Sequence, residues 1–527
     1  MLWLELIGVL AMQGHDLYAS LGVFQQCHYH LDRYRNWIAD EFSIQRVWKR
    51  IQLLLPFLLL LFLKVEEARS PSVFCFTLIY LYVQFQRLKD KKRSFMLRFT
   101  NRMCRFSICL LLLTGITIIG MRYTLSYELY ICCLPLLWMI PWILLPIASY
   151  VVLPMEHMIQ NSYVQDAKAR LNACPQMIRV GISGSYGKTS VKYIAYALLK
   201  DHYYTLKTPH SYNNRMGITR TIREELDPLH EVFLCEMGSD HSGELAELLS
   251  FVQPKITIVT AIGPQHLKTF GSQEAIVEEK MKMVEMLPPE GIGILNVDNP
   301  FICSYPLHTT ASIYTYGYSK KANVRIISAN MGEEGTHFVL EIGHKCYPFH
   351  TRLLGECNIL NITAAIALAR ILHVPMADLQ QAVEHLPFVE HRLEMKKMGA
   401  DILIDDAYNS NLQGALAACR VLKEMPNWRV IITPGFMELG ELQQSHSRAF
   451  GEEIAKSADE VVLVGKEQTK EIYGSLIEQQ FPEEQIHVCG TMQEAITFAK
   501  SLTSRKKTIL IENDIPDIFN HEIKGIA

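Results

Sequence analysis

At 527 residues the chain is long enough for about three domains. Its formal net charge of only −3 excludes a bulk polyelectrolyte partner such as nucleic acid. The 13 cysteines form no Cys-x-x-Cys pair and no zinc spacing, so they read as small buried apolar residues, some in membrane helices and the rest in a reducing cytosol. The chain contains no internal repeat and no low-complexity tract.

Apolar residues concentrate before about residue 155, and residues 1–155 read as a membrane domain of about four to five helices. Leu129–Pro154 is long enough to cross a bilayer and carries no charge. Phe106–Met121 is uncharged but short. Ile51–Leu63 and Val73–Phe85 read as a tight hairpin turning at Lys64–Pro71, and Leu2–Phe24 is interrupted by Glu5, His15 and Asp16. No basic stretch precedes that first segment, which argues against a cleaved signal peptide. The loop Arg87–Arg105 has Asp90 as its one acid among Arg87, Lys89, Lys91, Lys92, Arg93, Arg98, Arg102 and Arg105. The positive-inside tendency places that loop, and everything after residue 155, in the cytoplasm. The expected location is therefore the inner (cytoplasmic) membrane, multi-pass, with lipid as a partner. Residues 156–176 read as a polar linker helix.

Met177–Ser190 is the stretch around which the remainder is organised. Ile178 to Ile182 reads as a buried strand, a Gly-rich turn follows, and Val191 to Lys200 has helical apolar spacing. Strand, glycines, Lys-Thr and helix together make a phosphate site. Backbone N–H groups of the loop and the helix N-terminus face the anion, Lys188 supplies charge, and Thr189 can ligate Mg²⁺. The strict pattern wants glycine at position 182, which is Ile182 here, so the loop is a variant carrying Gly184, Ser185, Gly187, Lys188, Thr189 and Ser190. The bland alternative is a glycine turn with a solvated lysine.

Thr208–Thr219, rich in amides, suits a loop that touches phosphate or metal. The strand within Glu231–Gly238 puts Glu236 at the carboxyl end of an apolar run. Open α/β sheets bind ligands at that edge, and a carboxylate there can hold Mg²⁺ near phosphates. His266 follows the strand Ile256–Ile262 and reads either as an ordinary loop residue or as a metal ligand. Asn296 and Asp298 close the strand Ile292–Val297.

In these stretches the chain resembles the Mur ligase family, and within it the D-alanyl-D-alanine-adding branch. The family's Gly-x-x-Gly-Lys-Thr loop is Gly184 to Thr189, its Asn-Asn-x-x-Gly element is Asn213, Asn214 and Gly217, and its strand-terminal Glu is Glu236. His266 to Ser272 matches His-Leu-x-x-Phe-Gly-Ser, and Lys280 holds the position of the family's carbamylated lysine. Asn358 and Asn361 match His-Asn-x-x-Asn, with Cys357 in place of the histidine. Arg392-Leu-Glu394, Asp405 to Asn409 and Met437 to Gly440 complete a family order over roughly residues 175–450. The chain departs from the family at His210-Ser211, where Gly-Asn is usual, at Phe436, and in lacking a proline soon after Asn411. Membrane helices stand where the family has a soluble domain for the nucleotide sugar.

The resemblance implies an α/β architecture of a P-loop central domain, residues 177–387, and a Rossmann-like C-terminal domain, residues 388–527, behind N-terminal transmembrane helices. It implies an ATP-dependent amide ligase in which a carboxylate is phosphorylated and an amine attacks the acyl phosphate. Lys188 and the loop would hold the phosphates, and Thr189 and Glu236 a first Mg²⁺. His266 and carbamylated Lys280 would hold a second Mg²⁺. Asn358 and Asn361 would lie near adenine, and Arg392 and Asp406 would reach back to phosphate and ribose. Asn213, Asn214, Tyr408, Asn409 and Asn411 would face the substrates. The favoured pair is a peptidoglycan precursor and D-Ala-D-Ala. Two alternatives stay open: another acid–amine pair, such as a poly-γ-glutamate-type or lipid-linked substrate, and a non-catalytic ATP-binding membrane scaffold. Retention of Lys188, Glu236, His266 and Lys280 together argues against the scaffold.

Overall fold

A computed structural model describes residues 17–27, 29, 31, 34, 35, 37, 38, 97–126, 140–265, 267–388, 392–407, 412–436, 442–502 and 506–513. The expected segments Ile51–Leu63 and Val73–Phe85, the Lys64–Pro71 turn and most of Leu2–Phe24 lie outside these residues, as do His266, Tyr408, Asn409, Asn411 and Met437 to Gly440. The chain divides into two compact units, residues 1–162 and 163–527.

In the first unit, helix α1 (Asn101–Thr124) opens on Thr100, whose side chain accepts the Met103 N–H. Its first two turns contain Arg102 and Arg105, which the sequence places in a loop, and both pair with the buried Glu156. Helix α2 (Ile140–Asn172) runs unbroken through Pro146 and Pro154, so residues 140–154 of the expected Leu129–Pro154 segment and most of the expected linker share one helix, while residues 129–139 lie outside the described residues. Phe24, Tyr34, Phe106, Leu110, Trp142 and Leu145 form the core of this unit.

Among the described residues two helices, Asn101–Met121 and Trp142–Asn172, are long and apolar enough to cross a membrane by length and composition alone. Two such helices are weak evidence, because a core helix of any large protein passes the same test. The expected multi-pass location in the cytoplasmic membrane is not upheld.

The second unit is mixed α/β and holds two sheets. Strands β1 (Ile178–Ser183), β2 (Thr205–Lys207), β3 (Val232–Glu236), β4 (Ile256–Val259), β5 (Ile292–Asn296), β6 (Ser312–Gly317), β7 (Val324–Gly332), β8 (Gly335–Ile342) and β9 (Lys345–Thr351) form the first, in the order β2-β3-β1-β4-β5-β6-β7-β8-β9. Pairing is parallel as far as β7 and antiparallel from β7 to β9. Both faces of the parallel part are covered, and the strands show it. Along β3, Val232 and Leu234 enter one core while Phe233 and Cys235 enter the other. The first core contains Val191, Ile194 and Leu198 of α3 (Lys188–Leu199). It also takes Ile359, Ile362 and Ile366, which belong to a second covering helix, Glu356–Ile371. The other core takes Ile218 and Ile222 of α4 (Arg215–Glu225), Leu245 and Leu248 of α5 (Glu244–Val252), and Ile276, Met281 and Val284 of α6 (Gln273–Glu285). Each such aliphatic side chain contributes roughly 1.5–3 kcal/mol on burial. Ten or more of them on each face fix where the strand ends lie.

The helix Glu356–Ile371 is α7. The second sheet has the order β10-β11-β15-β12-β13-β14, from β10 (Glu394–Met398), β11 (Asp401–Asp406), β12 (Trp428–Thr433), β13 (Glu460–Val464), β14 (Ile486–Cys489) and β15 (Lys507–Glu512). It is parallel except at the β10–β11 edge.

Candidate active site

Strand β1 lies between β3 and β4, so the chain leaves its carboxyl end where the strand order turns back. A crevice opens at such a point in open α/β sheets, and Gly184 to Thr189 and Glu236 lie at the carboxyl ends of β1 and β3. The turn after β1 places Gly184 at φ +146° and Gly187 at φ +83°, a region that side chains with a Cβ rarely adopt. A Cβ on Gly187 would stand 2.6 Å from Asn361 Oδ1, so α7 bears directly on the loop. The Ser185 N–H donates to the Ala261 carbonyl, and the Ser185 hydroxyl donates to the Gly263 carbonyl at 3.1 Å, which ties the loop to the segment following β4.

Helix α3 begins at Lys188, three residues before the apolar periodicity begins at Val191. Gly187 is its N-cap, no side chain caps the first turn, and no acidic residue occupies it. Those N–H groups and the helix dipole are therefore available to an anion. Lys188 Nζ donates to the carbonyls of Gly184 (2.7 Å) and Ser185 (3.2 Å). Burial pushes its amine down; Glu236 and Asp240 oppose the shift, and Arg392 adds to it. Ser190 is buried within the same turn.

Glu236, 1 % exposed at the end of β3, is the hub of the site. Its Oε1 accepts from Thr189 Oγ1 (3.1 Å) and from Asn213 Nδ2 (3.1 Å), while Oε2 accepts from Lys192 Nζ (2.9 Å). Thr189 and Glu236, the expected ligands of a first Mg²⁺, are thus hydrogen-bonded to each other, and Asn213 joins them. Asn214 instead serves the backbone, where its side chain accepts the Gly217 N–H and caps α4. Lys192 is a site residue that sequence reasoning missed. Its one signal is a charged residue flanking the buried stripe of Val191, Ile194, Ala195 and Leu198.

Lys280 projects from α6 towards the segment after β3. It is 3 % exposed, and its Nζ donates to Ser239 Oγ at 2.8 Å. Burial, reinforced by the charge of Lys188, pushes its amine down to about 7 against the pull of Glu279, Asp240 and Glu244. That burial distinguishes Lys280 from a solvated surface lysine. Asn358 of α7 donates its side-chain amide to the Leu354 carbonyl, and Cys357 beside it is exposed.

From the second sheet, Asp406 Oδ1 accepts the Leu393 N–H at 3.0 Å. Burial holds the Asp406 carboxyl above the usual range, although Glu512, the Leu393 N–H and Arg392 all pull it down. Arg392 therefore bears electrostatically on both Asp406 and Lys188. Among the described residues, three or more His, Cys, Asp or Glu side chains never cluster as a metal site. Glu236 and the Thr189 hydroxyl could together hold a divalent cation.

Comparison with known proteins gives two family matches: Mur ligase middle domain over residues 182–369, and Mur ligase, glutamate ligase domain over residues 391–512. The chain is 31% identical over 294 residues to the UDP-N-acetylmuramoyl-tripeptide–D-alanyl-D-alanine ligase of Escherichia coli, covering 55% of this chain and 64% of the relative. It is 27% identical over 313 residues to the Bacillus subtilis protein of the same name, covering 58% and 65%. The chain thus spans just under two thirds of the length of these curated relatives. Among solved structures, MurF from Acinetobacter baumannii superposes with TM-score 0.61 at 23% identity, covering 70% of this chain and 79% of that one. MurF from Thermotoga maritima in complex with ADP gives 0.60 at 20%, covering 70% and 85%. These structural likenesses establish a shared fold.

Proposed function

The chain belongs to the Mur ligase family through its middle and glutamate-ligase domains, and we propose that it is an ATP-dependent ligase joining D-alanyl-D-alanine to the carboxylate of a UDP-N-acetylmuramoyl-tripeptide. The observation that carries this reading is the cluster at the β1 edge: an uncapped helix start, Lys188, and a Thr189–Glu236 pair within hydrogen-bond distance. We read Gly184 to Thr189 as a P-loop, and the second sheet as the Rossmann-like domain that brings Arg392 and Asp406 to ATP.

The donor set suits Mg²⁺, which usually takes one or two protein oxygens and completes its shell with water and substrate phosphates. Thr189 Oγ1 and Glu236 Oε1 would hold it, and when bound it would neutralise charge developing on the transferred phosphoryl group. Lys188 and the α3 N–H groups would fix the phosphates in line with the substrate carboxylate. Arg392 would add a positive charge from the C-terminal domain, so that domain closure completes the site. The amine then attacks the acyl phosphate and expels phosphate as the amide forms. Tyr408, Asn409 and Asn411 remain proposed contacts of the amine substrate, with Asn213 on the acid side. Asn358 and Asn361 would border the adenine.

Carbamylation of Lys280 fits the chemistry of its surroundings. Only a neutral amine attacks CO₂, and an amine held at about 7 has a large neutral fraction at neutral pH. The charge reversal would give an anion near the P-loop that, with His266, would serve a second metal.

The reading is tested with purified protein, ATP, Mg²⁺ and the two substrates, scored by the mass of the ligated product. Product should appear only when all are present. Lys188→Ala should abolish it while leaving the melting temperature close to wild type. Unchanged turnover in Lys188→Ala contradicts the ATP-site assignment.

A further inference from the structure

Lys192 lies one helical turn beyond Lys188, on the same side of α3. Its side chain is entirely buried, a condition that lysine tolerates only when its charge is paired. The ammonium meets two acceptors from two other parts of the chain. One is Glu236 Oε2 at 2.9 Å, at the end of β3. The other is the backbone carbonyl of His210, in the segment joining β2 to α4. His210 sits at φ +44°, a left-handed conformation uncommon for a residue with a side chain and maintained only where the surroundings enforce it. The same segment delivers Asn213 Nδ2 to Glu236 Oε1, beside the Thr189 hydroxyl. The two oxygens of Glu236 are therefore unequal: one is bound to a buried cation, the other faces the hydroxyl that opens α3.

We infer that Lys192 is a positioning residue for the metal-binding pair. Its ammonium clamps Glu236 Oε2 and the His210 carbonyl together, so Glu236 meets a divalent cation through Oε1 alone, beside Thr189. The inference rests on the reading of Thr189 and Glu236 as the magnesium ligands. It assigns a role to the orientation of the carboxylate in addition to its charge. A neutral side chain of similar length frees Oε2 and lets both the carboxylate and the 208–214 segment turn. An arginine keeps the charge, but its planar fork does not place one nitrogen between two acceptors in the same closed space.

The test uses the full chain and Mn²⁺, titrated by electron paramagnetic resonance in the presence of ADP, for wild type, Lys192→Met and Lys192→Arg. Groups that orient a metal ligand typically govern about tenfold to a hundredfold of affinity. Both variants are expected to lose at least about tenfold in Mn²⁺ affinity, with ADP affinity in the absence of metal held within about twofold. Tighter Mn²⁺ binding in Lys192→Met overturns the inference, because the lysine then acts only by repelling the cation. Wild-type Mn²⁺ affinity in both variants, with a lowered melting temperature, also overturns it and leaves a purely structural ion pair. Should Lys192→Met fail to fold, Lys192→Arg decides alone: wild-type metal affinity there refutes positioning. A wild-type protein that binds no Mn²⁺ with ADP overturns the metal pair itself, whereas binding matched by both variants overturns only the role of Lys192.

Discussion

Lys280 shows what residue types and spacing reveal and what they hide. Its distance from His266 matches the family pattern, yet Glu278, Glu279 and Lys282 around it look like a solvated helix face. Burial at 3 % exposure is a property of packing between α6 and the segment after β3, which no local pattern encodes. The pH dependence follows from the shift. In the folded protein the amine titrates at about 7 instead of 10.5, so between these values the unfolded chain binds more protons. Stability from this group therefore rises with pH across that window, and its full penalty is present below about 7. Relative to wild type, Lys280→Met should melt higher at pH 6.5 than at pH 9.5, as read by calorimetry. A gap independent of pH would refute the buried charge. Lys280→Ala should lose most of its ligase activity and recover part of it in concentrated acetate or formate, while Lys280→Arg should not recover. Normal turnover of Lys280→Ala at low CO₂ would leave this lysine without a catalytic part. Gly187 makes a second residue-scale case. Alanine there would hold φ +83° and press on Asn361 Oδ1 at 2.6 Å, costing about 1–3 kcal/mol. Gly187→Ala should lower both the melting temperature and ADP affinity; unchanged ADP affinity would contradict the loop's role.

At the scale of elements, the strand–loop–helix around Gly184–Thr189 was legible because periodicity, glycines and Lys-Thr all point the same way. The expected boundary at residue 155 falls within a helix. Composition changes there from apolar to polar, but α2 continues to Asn172 with Pro146 and Pro154 inside it. Lys192 with Glu236 and Glu279 with α5 are contacts between elements far apart in sequence, so helical or strand spacing could not reveal them. Glu279 is 1 % exposed and accepts the N–H groups of Gly243 (3.0 Å) and Leu245 (2.8 Å), supplying the cap that Gly243 lacks. Glu279→Ala strands those donors and should destabilise the protein by about 1–3 kcal/mol in chemical denaturation. A loss below about 0.5 kcal/mol, the range of ordinary surface substitutions, would show that α5 does not depend on this cap.

For the whole molecule, motif order carried the two ligase domains correctly, and the second family match extends the likeness to residue 512, well past the last motif recognised in the sequence. The N-terminal unit was read from hydropathy and the basic loop Arg87–Arg105, and hydropathy is a signal that buried and membrane helices share. Phe106–Met121 and residues 140–154 fall in the two qualifying helices among the described residues, while Ile51–Leu63, Val73–Phe85 and most of Leu2–Phe24 lie outside those residues. On the proposed function, ATP would activate a carboxylate as an acyl phosphate at the edge where Lys188, Thr189 and Glu236 meet. The most direct measurement supplies the tripeptide precursor with both oxygens of its reacting carboxylate labelled with ¹⁸O, together with ATP, Mg²⁺ and D-alanyl-D-alanine. The account predicts ADP as the nucleotide product and one ¹⁸O transferred to each inorganic phosphate released, in step with amide formed. Unlabelled phosphate, or AMP and pyrophosphate in its place, would contradict it.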